Sequence, residues 1–141
     1  MAKLAVVYWS GTGNTEAMAN LIAEGAKEAG AEVFVMQAAA FTKEDAAGYD
    51  ALAFGCPAMG VEELEDAEFA PMFERVLPAL PGKRVALFGS YGWGDGEWMR
   101  TWQGNVQSAG VALSAEGLIV NEAPDVDAEA RCRALGKLLA G

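Results

Sequence analysis

The chain has 141 residues, of which 52% are hydrophobic and 21% charged, with 20 acidic against 10 basic side chains and a net charge of −10. That length suits one domain, residues 1–141, with a core of its own, and its charge repels a polyanion such as nucleic acid from most of the surface. Histidine is absent, which excludes Ser-His-Asp hydrolysis, Cys-His nucleophilic catalysis and imidazole-ligated metals in their usual forms.

Leu4 to Tyr8 is an apolar run of the kind found in a buried strand. It runs directly into "WSGTGNTE" (9–16), rich in small and hydroxyl residues and without Lys or Arg. From Thr15 to Ala29, apolar residues at 17, 18, 21, 22 and 26 predict an amphipathic helix closed by Gly30. Residues 32–36 read as a second strand, 43–47 as a short polar helix and 51–56 as a third strand. A helical pattern follows over 66–77, but Pro71 fits only a first turn or a kink, which places the start near Ala70. Residues 84–91 form a fourth strand, 97–108 a helix, and 111–121 a fifth strand interrupted at Gly117. Asp125 or Asp127 caps a closing helix that runs to Ala140.

This alternation predicts an α/β fold, a five-stranded parallel sheet with helices on both faces. Ligands on such sheets bind beyond the carboxyl ends of the strands. The loops at issue are 9–15, 57–63 and 91–97. No apolar run approaches the roughly 18 residues of a membrane span, and Met1 to Lys3 leads straight into a strand, so the cytoplasm is the expected location. Cys56 and Cys132 form no CxxC pair, so neither a disulfide framework nor a metal site is expected. Cys56 reads as a small buried hydrophobe ending a strand.

The first loop lacks the lysine of a Walker A motif, and Glu16 stands where a dinucleotide fingerprint needs its third glycine. What remains is a neutral cradle: hydroxyls of Ser10, Thr12 and Thr15, the Asn14 amide, and backbone N–H groups made accessible by Gly11 and Gly13. Such a cradle holds a terminal phosphate by hydrogen bonds and the helix N-terminus, each charge-assisted bond contributing about 1.5–3 kcal/mol. The same stretch also reads as a plain turn-rich connection.

Three motifs in order resolve the choice by resemblance. "YWSGTGNTEAMA" (8–19) resembles the FMN phosphate loop of flavodoxins; "GCPAMG" (55–60) with "EELED" (62–66), and "LFGSYGWGDGEWM" (87–99), resemble the two flavin-ring loops of the short-chain members. The resemblance covers essentially the whole chain. It implies a doubly wound sheet of order 2-1-3-4-5, FMN as cofactor and electron transfer without substrate turnover. Ser10, Gly11, Thr12, Gly13, Asn14 and Thr15 would hold the phosphate. Ala58, Met59, Gly60, Val61, Glu62, Ser90, Tyr91, Gly92, Trp93 and Gly94 would hold the ring, Met59 on its inner face and Trp93 on its outer one. Glu62 would accept from the flavin N3–H. Trp98 and Trp102 lie four apart on a helix and read as packing residues.

The implied carrier is a cytoplasmic monomer that cycles between semiquinone and hydroquinone. It takes electrons from reductases or 2-oxoacid oxidoreductases and passes them to reductive enzymes in place of ferredoxin-type carriers. Its acidic surface suits basic redox partners. Glu62, Glu63, Glu65, Asp66, Glu68 and Asp95 surround the ring in sequence, and a carboxylate at about 8 Å raises the energy of a reduced, anionic ring by about 1 kcal/mol. A low potential follows. The alternative is a small FMN-dependent quinone or azo reductase, which needs open space above the ring where Trp93 is expected. A phosphoacceptor receiver domain needs acidic residues where Ser10 and Cys56 stand.

In the family, the carbonyl of the glycine matching Gly60 turns towards flavin N5 in the semiquinone. A type II′ turn needs positive φ at Gly60, and the alternative type II turn needs it at Val61, which β-branching resists. Val61 therefore favours the semiquinone-compatible turn. Val61→Gly is expected to shift the oxidised/semiquinone potential in a redox titration; an unchanged potential refutes the assignment.

Overall fold

The computed structural model describes residues 2–60 and 62–141. Its elements are β1 (Lys3–Tyr8), α1 (Asn14–Glu28), β2 (Glu32–Gln37), α2 (Lys43–Ala47), β3 (Ala51–Gly55), α3 (Phe69–Val76), β4 (Arg84–Tyr91), α4 (Glu97–Ser108), β5 (Leu118–Asn121) and α5 (Val126–Leu139). All strand pairs are parallel and the order is β2-β1-β3-β4-β5. The doubly wound sheet implied by the sequence motifs is the one observed.

Each buried strand serves two cores, because successive side chains point to opposite faces. Ala5 and Val7 of β1 join Leu52 and Phe54 of β3 beneath α3 and α4. Leu4, Val6 and Tyr8 join Ala51 and Ala53 beneath α1 and α5. This is why β1 and β3 read as continuous apolar runs. On the α3–α4 face, Phe69, Phe73 and Trp102 meet in mutual edge and stacked contacts at 5.4–5.9 Å.

The boundaries differ from expectation in two places. The fifth strand is confined to Leu118–Asn121. Upstream, the chain meets the sheet in an isolated parallel bridge of Leu113 to Val85, with the Ser114 N–H donating to the Val85 carbonyl at 2.9 Å. The cause is Gly117, whose N–H donates to the Gln103 side chain of α4. Its missing Cβ leaves room for Met99, which a side chain would meet at 2.5 Å. Helix α3 starts at Phe69, one residue before the position inferred from Pro71, and the proline sits in the first turn, where no helical amide is required of it. Asp125 caps α5 by accepting from the Ala128 N–H at 2.8 Å.

Helices α1 and α5 pack against each other more extensively than any other pair of elements, and two glycines permit the approach. A Cβ at Gly25 would lie 2.0 Å from the Arg133 carbonyl oxygen, and one at Gly136 would lie 2.0 Å from that of Ile22. Neither neighbour is a flexible side-chain end, so the helices would have to part. Alanine in a free helix is favoured over glycine by about 1 kcal/mol. Here Gly136→Ala is expected to destabilise by about 1–3 kcal/mol, read as a lower urea midpoint at unchanged slope. A gain in stability would show that the contact is not tight.

Candidate functional site

A cavity of about 540 Å³ opens at the carboxyl ends of β1, β3, β4 and β5. Trp9, Gly11, Thr12 and Asn14 line it from the first loop, Pro57, Ala58 and Met59 from the second, Ser90, Tyr91 and Gly92 from the end of β4, and Glu122 and Ala123 from beyond β5. The volume lies within the range of small-molecule sites. No Lys or Arg lines it.

The first loop enters α1 through Gly13, which adopts a left-handed φ of 97° and supplies no side-chain cap. Ser10 reaches back instead: its Oγ accepts from the Gly13 N–H at 3.1 Å and the Glu16 N–H at 3.3 Å. Amides from the loop and from the first turn of α1 therefore converge around a single oxygen. Thr15 lies buried beneath them, and its Oγ1 accepts from the Ser90 N–H at 3.4 Å. The Ser90 hydroxyl in turn donates to the Glu122 carbonyl at 2.8 Å. This relay ties the first loop to the ends of β4 and β5. Tyr8 donates to Glu16 at 2.8 Å, and burial together with that carboxylate raises its phenol pKa.

The second loop is a closed hairpin. Met59 and Glu63 exchange reciprocal backbone hydrogen bonds of 2.8 and 2.9 Å, and both Gly60 (φ 47°) and Glu62 (φ 56°) are left-handed. The positive φ expected of Gly60 is present. The expectation about Val61 falls outside the described residues. Glu62 is strained for a residue with a side chain, and its carboxylate holds the conformation by accepting from the Asp95 N–H at 3.3 Å and the Trp98 N–H at 3.2 Å. One carboxylate thus clamps the second loop to the third. Gly94 makes room for it; a Cβ there would meet Glu62 Oε1 at 2.1 Å.

Glu65 departs from the acidic rim read from the sequence. It is only 7% exposed, and its carboxylate accepts from the amides of Ala67, Glu68 and Phe69 at 2.8–2.9 Å. It gathers the amides that lead into α3, the last of them that of the first helical residue, Phe69. Burial pushes its pKa up, but the three amide donors outweigh burial and leave it below the usual value. Cys56 is buried, as expected, and burial raises its thiol pKa to about 12.

Eight of the expected site residues share the cavity: Gly11, Thr12, Asn14, Ala58, Met59, Ser90, Tyr91 and Gly92. Ser10 and Gly13 border a polar pocket of about 480 Å³ on the other side of the first loop, and Thr15 is its buried support. Gly60 lines a smaller cleft shared with Met59. Glu62 lines a separate cleft of about 330 Å³ beside α4. Trp93 is 63% exposed and stands outside the cavity lining, with Gly94 next to the Glu62 clamp. Sequence reasoning missed Trp9, Pro57, Glu122 and Ala123. The rule that ligands bind beyond strand ends also covers the loop after β5, and applying it there would have found Glu122, which is left-handed at φ 57°.

The residues fit a flat ligand with a terminal phosphate. Converging amides at a helix N-terminus match an anion without a countercharge, and the mixed apolar and backbone lining around Met59 and Tyr91 matches a ring. The family model described as "Flavodoxin" matches residues 6–135. The flavodoxin of Megasphaera elsdenii is 49% identical over 135 residues, covering 96% of both chains. That of Clostridium beijerinckii is 46% identical over 135 residues, covering 96% of this chain and 97% of the relative. The solution structure of two-electron reduced Megasphaera elsdenii flavodoxin superposes with a TM-score of 0.89 at 48% identity, over 97% of this chain and 98% of the other.

Because the folded-state pKa of Glu65 is depressed, its contribution is complete above the unfolded value and is lost as pH falls through the folded one. Glu65→Ala is expected to cost about 1–2 kcal/mol in urea unfolding above roughly pH 6. The gap to the parent protein should shrink below about pH 4; a gap that persists there would refute the charged cap.

Proposed function

The chain belongs to the flavodoxin family, and on that premise we propose that it carries single electrons on FMN held across the cavity at the carboxyl edge of the sheet. Bound there, FMN supplies the redox chemistry; the chain supplies grip, orientation and field. It turns over no substrate of its own. The observation that carries the assignment of the phosphate end is the convergence of the Gly13 and Glu16 amides on Ser10 Oγ at the start of α1.

Ser10, Thr12 and Thr15 bind the phosphate through hydroxyls, Asn14 through its amide, and Gly11 and Gly13 through the backbone. Ala58, Met59, Gly60, Glu62, Ser90, Tyr91, Gly92, Trp93 and Gly94 hold the ring. Met59 covers one face from within the cavity, and the exposed indole of Trp93 covers the other from the rim. Glu62 would orient the ring by accepting from its N3–H, while its carboxylate keeps the amides of Asp95 and Trp98.

The field disfavours added negative charge on the ring, which sets a low potential. No cation lines the cavity, and the one Arg on α4, Arg100, is paired with Asp95 at 3.0 Å. Exposed carboxylates at the rim steer a basic redox partner, such as a reductase or a 2-oxoacid oxidoreductase, to the ring edge. In this reading the 141 residues act as a single domain, as a monomer in the cytoplasm, doing the work of ferredoxin-type carriers.

An anaerobic dithionite titration of the FMN-loaded protein tests the one-electron role. A long-wavelength absorbance band that rises to half reduction and then falls is expected. Direct bleaching would point to two-electron reductase chemistry, and failure to retain FMN would overturn the reading. Thr12→Ala is expected to weaken FMN about 10–100-fold, one hydrogen bond to a charged group. Riboflavin, which lacks the phosphate, should bind both proteins alike; an equal loss for riboflavin would move Thr12 away from the phosphate.

A further inference from the structure

Trp98 is a junction between the base and the tip of the second loop. Its side chain is 2% exposed, and its indole N–H donates to the Cys56 carbonyl at 3.2 Å, at the point where β3 gives way to the loop. Its backbone N–H donates to Glu62 at the loop tip, at 3.2 Å. Its ring lies 5.6 Å from that of Tyr91, a wall of the main cavity. Gly89 makes the arrangement possible: a Cβ there would come within 2.2 Å of the Cys56 carbonyl oxygen and 3.1 Å of the indole. The other stem closes on the same point, because the Glu65 N–H donates to the Cys56 sulfur at 3.3 Å.

We propose that Trp98 is a positioning residue for electron transfer, fixing the ring-facing loop at Cys56 and Glu62 so that the site discriminates between the redox states of its ligand; this rests on the FMN reading above. A packing residue needs only its shape. The indole N–H adds a directed bond to a buried carbonyl that otherwise loses this donor. Discrimination between redox states depends on dipoles held in advance of the charge change. A loop free to relax around each state loses that selectivity, and the two one-electron midpoints then move towards those of free FMN.

The test uses Trp98→Phe in the full chain and, should phenylalanine compromise folding, replacement of Trp98 by benzothienylalanine, which keeps the bicyclic shape and deletes the N–H. Both midpoints are measured on the FMN-loaded protein, and amide hydrogen exchange is measured on the apoprotein. The gap between midpoints should change by at least the equivalent of a threefold change in relative affinity, about 28 mV at 59 mV per tenfold for one electron. In the apoprotein the amides of Cys56 and Glu65 should exchange at least tenfold faster. Midpoints and exchange both matching the parent protein would overturn the proposal, as would faster exchange with unmoved midpoints, which is the signature of packing alone. If the parent protein failed to bind FMN, the functional reading would fall by itself, and unchanged exchange in the apoprotein would still refute the clamp.

Discussion

Everything at the functional edge depends on one constraint of winding. The chain leaves β1 for a helix on one face of the sheet and leaves β3, its neighbour, for a helix on the other. Two adjacent strands whose exits diverge must leave a crevice between them. The first and second loops flank that crevice, and β4 and β5 extend its floor. Parallel pairing brings the carboxyl ends of all five strands to the same edge, so residues as distant as Thr15, Ser90 and Glu122 become hydrogen-bonding neighbours.

Among the described residues the crevice is lined by dipoles and one carboxylate, Glu122, and by no cation. A lysine at the phosphate end would strengthen binding, but its field would extend to the ring and favour the reduced, more negative state. Backbone amides and hydroxyls act at short range, satisfying the anion where it sits while adding little potential a few ångströms away. A neutral cradle therefore lets affinity be high while the potential stays low. In the proposed reading the surplus of carboxylates would serve the second requirement, and the same negative field would steer a basic partner.

The sequence made much of this legible, and the limits have physical causes. The first loop is a local motif: strand, tight turn and helix start lie within a dozen residues, so residue types narrow it to a neutral cradle or a plain turn, and the resemblance chose between them. The five strands are legible for a similar reason, since burial on both faces leaves uninterrupted apolar runs. The end of the sheet was harder to read. Residues 111–117 have strand-like composition, but beyond the bridge of Leu113 to Val85 the Gly117 N–H pairs with Gln103 on α4 instead of with β4. Glu65 reads as one more member of an acidic run, although the three amides it accepts from are local, two to four residues further along the chain. Trp98 reads as packing because its acceptor lies 42 positions away.

The two ends of the site are anchored by different physics. The proposed phosphate end rests on α1, which is locked against α5 by glycine contacts too close for any side chain. Such a contact has little compliance, because backbone meets backbone. The proposed ring end rests on α3 and α4: Glu65 accepts from the Phe69 amide, Glu62 from the Trp98 amide, and the Cys56 carbonyl from the Trp98 indole. Those bonds are directional, and the one to Glu62 reaches a tip in which both described residues, Gly60 and Glu62, have positive φ. A ligand whose phosphate never changes and whose ring changes charge needs this division: an invariant grip at one end, and at the other a strained tip held on a fixed base. Strain of this kind persists only where the surroundings over-determine it, and here the surroundings are the Asp95 and Trp98 amides, which meet the Glu62 carboxylate from the third loop and α4.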